Sequence, residues 1–263
     1  MSLIKDFLDM PNDSMKKTLM VATLLCLICS VLVSGAAVVL KPVQDANKAL
    51  DKKRNILQIA GLMEKGKTVD ELFAQIEPKV VDLATGDYVS EIDPATFDAR
   101  AAAVDPQQNV VLSKEQDIAS IKRRAKYATV YLVRDAADKV EKIILPVNGY
   151  GLWSTLYGFM SLSSDANTIT GFGFYEHAET PGLGGEVDNP SWKAQWSGKK
   201  LFNPQGNFSL DIVKSAAPDS EYQVDALSGA TLTSNGVENL VRFWVGENGF
   251  GPYLQKIRRG GKS

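Results

Sequence analysis

Residues 225–245 read DALSGATLTSNGVENLVRFWV, and the first half of this stretch gathers groups suited to phosphate chemistry. Ser228, Thr231, Thr233 and Ser234 each carry a hydroxyl that can donate a hydrogen bond or attack phosphorus, and Gly229-Ala230 adds little bulk beside them. Val237, Leu240, Val241, Trp244 and Val245 then recur at i, i+3, i+4, i+7 and i+8, the apolar stripe of an amphipathic helix that starts near Thr233. A helix start presents free backbone N–H groups and the positive end of the dipole, which together attract an anion. Ser, Thr, Asn and Gly are also what any helix start uses as caps. Local chemistry alone leaves capping as the simpler reading.

Two further loops are built for close approach to a flat ligand. Gly149-Tyr150-Gly151-Leu152-Trp153 follows one strand-like run, and His177-Ala178-Glu179-Thr180-Pro181-Gly182-Leu183-Gly184-Gly185 follows another. Pro181-Gly182 suits a type II turn, and Gly184-Gly185 would let backbone come close to a ligand face. On bare sequence, tight turns are the simpler reading of both loops. His177 is the only histidine, so a hydrolytic triad has no base to spare, and no metal site is expected. Cys26 and Cys29 form a C-x-x-C pair inside an apolar run, where small packing residues are the simpler role than a redox or metal half-site. Residues 61–68, GLMEKGKT, satisfy G-x-x-x-x-G-K-[ST], yet the preceding segment reads as a helix rather than the strand a phosphate-binding loop needs. Gly66 as a helix stop and Thr68 with Glu71 as a capping box for a helix over 69–76 account for the match.

The order Asp225-Ala226-Leu227-Ser228-Gly229-Ala230-Thr231 resembles D-[AG]-x-[ST]-G-A-[ST], the signature at which bacterial flavin transferases attach FMN. The string Glu179-Thr180-Pro181-Gly182-Leu183-Gly184 resembles the second hallmark of the same domain, in the expected order. On these motifs the chain resembles the covalent-FMN family shared by the C subunit of sodium-translocating NADH:quinone oxidoreductases and the G subunit of Rnf complexes. The whole chain resembles the former. The resemblance implies FMN joined by a phosphoester to Thr231, with Asp225 serving the flavinylation motif. It also implies contacts from Leu152, Trp153, Glu179, Thr180, Leu183, Gly184, Ser228, Gly229, Ala230 and Thr233. Leu152, Trp153 and Leu183 would flank the isoalloxazine, and Glu179 and Thr180 its polar edge or ribityl chain. The implied function is electron relay from NADH toward ubiquinone with sodium translocation. The implied partners are the other subunits of an inner-membrane complex and, during maturation, a flavin transferase. An Rnf-type homologue with the same flavin, or an anchored scaffold without one, are the alternatives. No G-x-G-x-x-G is present, which agrees with a relay that does not itself bind NADH.

These groups need elements to position them. The 263 residues carry a net charge of −2, which gives no case for a nucleic-acid partner. After a polar start at 1–17, residues 18–40 run without a charge, long enough at ~1.5 Å per residue to cross a hydrocarbon core of ~30 Å. This reads as an uncleaved single-pass anchor, ended by Pro42, and the resemblance implies that the membrane is a bacterial inner membrane. Lys16 and Lys17 favour an inside N terminus, whereas Lys41, Lys48, Lys52, Lys53 and Arg54 lie on the other side. The resemblance decides for a periplasmic large domain. A helix over 43–60 opens a membrane-proximal region, 41–126, which is turn-rich from 80 to 110. It ends in a helix capped by Ser113 and Gln116 that reaches about Lys126. From Tyr127 the period becomes two, and strands are predicted over 127–134, 140–147, 157–162 and 168–175. Further strands are expected near 200–202 and 208–214, and Pro190 begins a short helix carrying Trp192 and Trp196. The expected architecture is α+β: one transmembrane helix, then a mainly antiparallel sheet with flanking helices, residues 127–263 forming the flavin domain.

Overall fold

The computed structural model describes Pro11 and residues 14–260, so most of the polar start at 1–17 lies outside the described residues. Two compact units are present, Met1–Leu50 and Asp51–Ser263. Helix α1, Met15–Ala60, supplies nearly all that is described of the first. It contains an apolar window of mean hydropathy 2.6 with no side chain buried, and by length and composition it could cross a membrane. Pro42 does not end it: α1 continues through the proline. The missing N–H removes one intrahelical bond, a loss of ~3 kcal/mol, but no glycine or turn-former flanks Pro42 to stop the helix.

The stop comes at Gly61 instead of Gly66. Gly61 is left-handed, with φ 70°, and donates to Gln58 O at 3.0 Å, while Leu62 N donates to Leu57 O at 2.8 Å. This pair of bonds is a Schellman motif, which a glycine without Cβ completes at little cost. Thr68 and Glu71 form the expected capping box, with Thr68 N donating to Glu71 Oε2 at 2.7 Å. The helix it opens, α2, Val69–Phe73, is shorter than expected, because Ile76 already belongs to strand β1, Ile76–Asp82.

Helix α3, Ala99–Val104, and strands β2, Asn109–Val111, and β3, Arg123–Ala125, follow. The helix expected from Ser113 to Lys126 does not form. Ser113 and Gln116 do exchange their capping bonds, with Ser113 N donating to Gln116 Oε1 at 3.0 Å. The Asp117 carboxylate then takes the amides of Ile121 and Lys122, and Ser120 and Lys122 turn left-handed, so a helix cannot propagate.

The four predicted strands are β4, Tyr127–Arg134; β5, Val140–Tyr150; β6, Thr155–Ser163; and β7, Ile169–Glu176. With β1 they make one antiparallel sheet, ordered β1-β4-β5-β6-β7. Pro78 sits on β1, an edge strand, where a missing donor is tolerated. Tyr131, Val133, Ile144 and Phe159 pack on one face with Ile56, Leu57 and Ala60 from the end of α1 and Leu72 from α2. Val130, Leu132, Ile143, Leu145, Leu156, Met160 and Phe172 face the larger core. Burial of both faces explains why these strands are apolar almost throughout instead of alternating.

A 3-10 turn, Gly184–Asp188, and helix α4, Pro190–Ala194, lead on, and Trp192 and Trp196 are buried in the core as the spacing suggests. Strands β8, Asp211–Val213, and β9, Gln223–Asp225, pair in parallel. Of the strands expected near 200–214, only β8 is regular; Lys200, Phe202 and Phe208 make single bridges. Helices α5, Thr231–Val245, and α6, Gly251–Arg258, complete the second unit. All five residues of the predicted α5 stripe are buried against the sheet.

Candidate functional site

Antiparallel pairing puts the end of β5, the start of β6 and the end of β7 at one edge of the sheet, where Tyr150 opposes Thr155 and Tyr157 opposes Glu176. The four residues between β5 and β6 form a tight loop closed by Gly151 N donating to Ser154 O at 2.9 Å. The loop after β7 turns at Thr180-Pro181-Gly182-Leu183: Gly182 has φ 75° and Leu183 N donates to Thr180 O at 3.1 Å, the expected type II turn. Helix α5 reaches the same edge. A Cβ on Gly236 would lie 2.5 Å from Tyr150 O, so only glycine lets α5 approach β5 this closely.

Residues 225–231 connect β9 to α5. Asp225 is fixed on three sides: its N–H donates to Gln195 Oε1, its O accepts from Trp192 Nε1 at 2.8 Å, and its Oδ1 accepts from Ala216 N at 2.6 Å. Leu227 to Ala230 is a turn closed by Ala230 N donating to Leu227 O, with Gly229 at φ 71°. Leu227 and Ala230 are buried, and Ser228, Gly229 and Thr231 are exposed. The helix begins at Thr231, two residues earlier than expected, with Ala230 as its cap residue and no capping side chain. The capping reading of these hydroxyl residues therefore fails. Buried Ser234 accepts from Leu227 N and donates to Ala230 O, which steadies the turn behind the helix start. Buried Thr233 donates to Glu179 Oε2 at 2.8 Å. Of the four hydroxyls, Thr233 and Ser234 are committed inside the protein, and Thr231 and Ser228 face outward.

Glu179 joins the three segments. It is 5% exposed, and Oε1 accepts from Trp153 N at 3.0 Å, Ser154 N at 3.0 Å and Ser154 Oγ at 3.1 Å. Leu152 N reaches both carboxylate oxygens, at 3.3 and 3.2 Å. Burial pushes the Glu179 carboxyl up, but the bonds from Thr233, Trp153, Leu152 and Ser154 together hold it below the usual range. Gly184 is buried with its open side toward this group: a Cβ there would lie 2.6 Å from Thr233 Oγ1. Ser154, which the sequence pattern does not single out, also accepts from Ala178 N, and nothing distinguishes it in sequence from any loop serine. His177 Nδ1 accepts from Glu179 N at 3.2 Å, which leaves Nε2 to carry the proton toward Asp188 Oδ2 at 2.9 Å.

Around this hub, Leu152, Trp153, Leu183 and Leu232 are exposed apolar side chains, Trp153 at 67%. A Cβ on Gly229 would meet Leu183 Cδ2 at 3.1 Å, so Leu183 stands directly over the turn that precedes Thr231. Thr180 is exposed on the same loop. The residues fit a flavin mononucleotide: an uncapped helix start for a phosphate, an outward-facing hydroxyl beside it, and an apolar surface for a planar ring.

Residues 151–246 match the family model for an FMN-binding domain. The C subunit of the Na(+)-translocating NADH-quinone reductase of Haemophilus ducreyi is 54% identical over 248 residues, covering 94% of this chain and 96% of that protein. The same protein of Vibrio vulnificus is 55% identical over 252 residues, covering 95% and 98%. The crystal structure of NqrC from Shewanella oneidensis superimposes with a TM-score of 0.76 at 36% identity, covering 81% of this chain and 99% of that one.

Proposed function

The chain belongs to the family of C subunits of Na(+)-translocating NADH-quinone reductases, and we propose that it carries FMN as a phosphoester on the Thr231 hydroxyl. It is an electron-transfer subunit of that multi-subunit enzyme, with an FMN-binding domain and an apolar helix consistent with a membrane anchor. When bound, FMN supplies the electron chemistry; the protein holds, orients and shields it. The single observation that carries the proposal is the placement of the four hydroxyls: Thr233 and Ser234 are buried and bonded, and of the exposed pair, Ser228 and Thr231, only Thr231 lies on the first turn of an uncapped helix. The first-turn amides of α5 would meet the phosphate oxygens, and Gly229 and Ala230 leave space for a flavin transferase to deliver the group. In attachment, the Thr231 oxygen would bond to phosphorus as the bond from phosphorus to the donor's leaving group breaks, with the hydroxyl proton passing to a base of the transferase. Asp225, held by Ala216 N, would present the motif to that transferase.

Leu152, Trp153 and Leu183 would cover the ring and exclude water, with Thr180, Gly184, Ser228, Gly229 and Ala230 shaping its edges. We read residues 127–263 as the flavin-bearing part, 41–126 as membrane-proximal, and 18–40 as the span between a cytoplasmic start and a periplasmic domain. Electrons would pass through this FMN on the way to ubiquinone while sodium is moved.

The test is chemical. Flavin fluorescence of the denatured full chain and peptide mass mapping should place one FMN on the fragment holding residues 227–232. Thr231→Ala should abolish it, Thr231→Ser should keep part of it, and Ser228→Ala should leave it in place. Covalent flavin surviving in Thr231→Ala would move the site elsewhere.

A further inference from the structure

Glu179 is a carboxylate surrounded by donors. Its five partner groups come from the 151–154 loop and from Thr233 of α5, and its ionised form is held by these neutral donors rather than by a cation. Its backbone is fixed from the other side by His177 Nδ1. That ring is anchored through Nε2 to Asp188, which Lys193 also grips at 3.2 Å.

We propose that Glu179 is a positioning residue: its buried carboxylate ties the Leu152-Trp153 loop to the first turn of α5, and its charge tunes the FMN carried there. This rests on the covalent-FMN reading above. The tie runs through main-chain amides, so the apolar side chains of Leu152 and Trp153 are aimed before any cofactor arrives. Pre-set geometry of this kind removes ordering losses on binding. The charge acts differently. A fixed negative charge in a poorly solvated site opposes adding electrons to a nearby ring, which lowers its reduction potential.

The two roles separate in the full-length protein. Glu179→Gln keeps one oxygen for the loop amides and offers an NH2 to the Thr233 hydroxyl, but removes the charge. It should retain FMN on Thr231 and near-normal amide exchange at residues 152–154, and shift the flavin midpoint to a more positive potential. Glu179→Ala, compared in the unflavinylated Thr231→Ala chain, should speed exchange of the Leu152, Trp153 and Ser154 amides about tenfold or more. Unchanged exchange in a folded Glu179→Ala chain would overturn the tie, and an unchanged midpoint in Glu179→Gln would overturn the tuning. If Glu179→Ala does not fold, Thr233→Val supplies the reading: it should hasten exchange at Leu152 and alter the flavin circular dichroism, and no change in either would overturn the tie. If the parent protein carries no flavin on Thr231, the functional reading fails, while the exchange measurements on unflavinylated chains still judge Glu179.

Discussion

Thr231 and Glu179 meet opposite demands within one loop cluster: the first turn of α5 favours an incoming anion, while Glu179 is an anion already satisfied inside the protein. This difference makes Glu179 the acid-sensitive member. Its folded-state pKa is depressed, so the stabilisation it gives is fully present above the unfolded carboxyl value of ~4.3 and is lost as pH falls through the folded value. Acid titration followed by Trp153 fluorescence should therefore show the 151–154 loop loosening below about pH 4.3, with that limb missing in Glu179→Gln. Superimposable acid limbs would count against it. Thr231 was legible in the sequence as a candidate, because a nucleophile motif is local and ordered. Glu179 was legible as a candidate site residue, but its hydrogen bonds were not, since its partners at Ser154 and Thr233 are remote in sequence and carry no periodic signal.

Among the elements, the α5–β5 contact is the one that places the candidate attachment residue. Trp244 Nε1 donates to Asn148 O at 2.7 Å at one end, and Gly236 lies on the Tyr150 carbonyl at the other. Gly236→Ala would press a methyl against that carbonyl, an overpacking that destabilises by ~1–3 kcal/mol and tilts the helix start away from the loops. Thermal unfolding should show the loss, and flavin incorporation should fall with it; a wild-type melting temperature with full incorporation would refute the contact's role. Strands β4 to β7 were legible as apolar runs bounded by turn residues, and the α5 stripe because its burial repeats with the helical period. The supposed helix at 113–126 was not, because the same Ser113–Gln116 capping pair serves a turn once Asp117 captures the next amides. Pro42 misled for the opposite reason: one lost bond is outweighed by the turns on either side of it.

On the scale of the whole molecule, composition and hydropathy made the candidate anchor visible, but charge did not decide which side the domain occupies. If the domain is periplasmic, reporter fusions after Gly149 should report export, and activity of a cytoplasmic reporter there would reverse the topology. The tie between Thr233 and Glu179 spans 54 residues, and the Trp244 bond to Asn148 spans 96. Such bonds impose an order in time. A ribosome makes residue 179 well before residue 233, so a growing chain exhibits its loops early, with Glu179 lacking its last partner. The site is complete only when the helix that bears the candidate attachment threonine has also been made. If FMN is attached at Thr231, its loading is thereby deferred to a nearly finished polypeptide, and a chain cut short before α5 offers no half-built site to load in error.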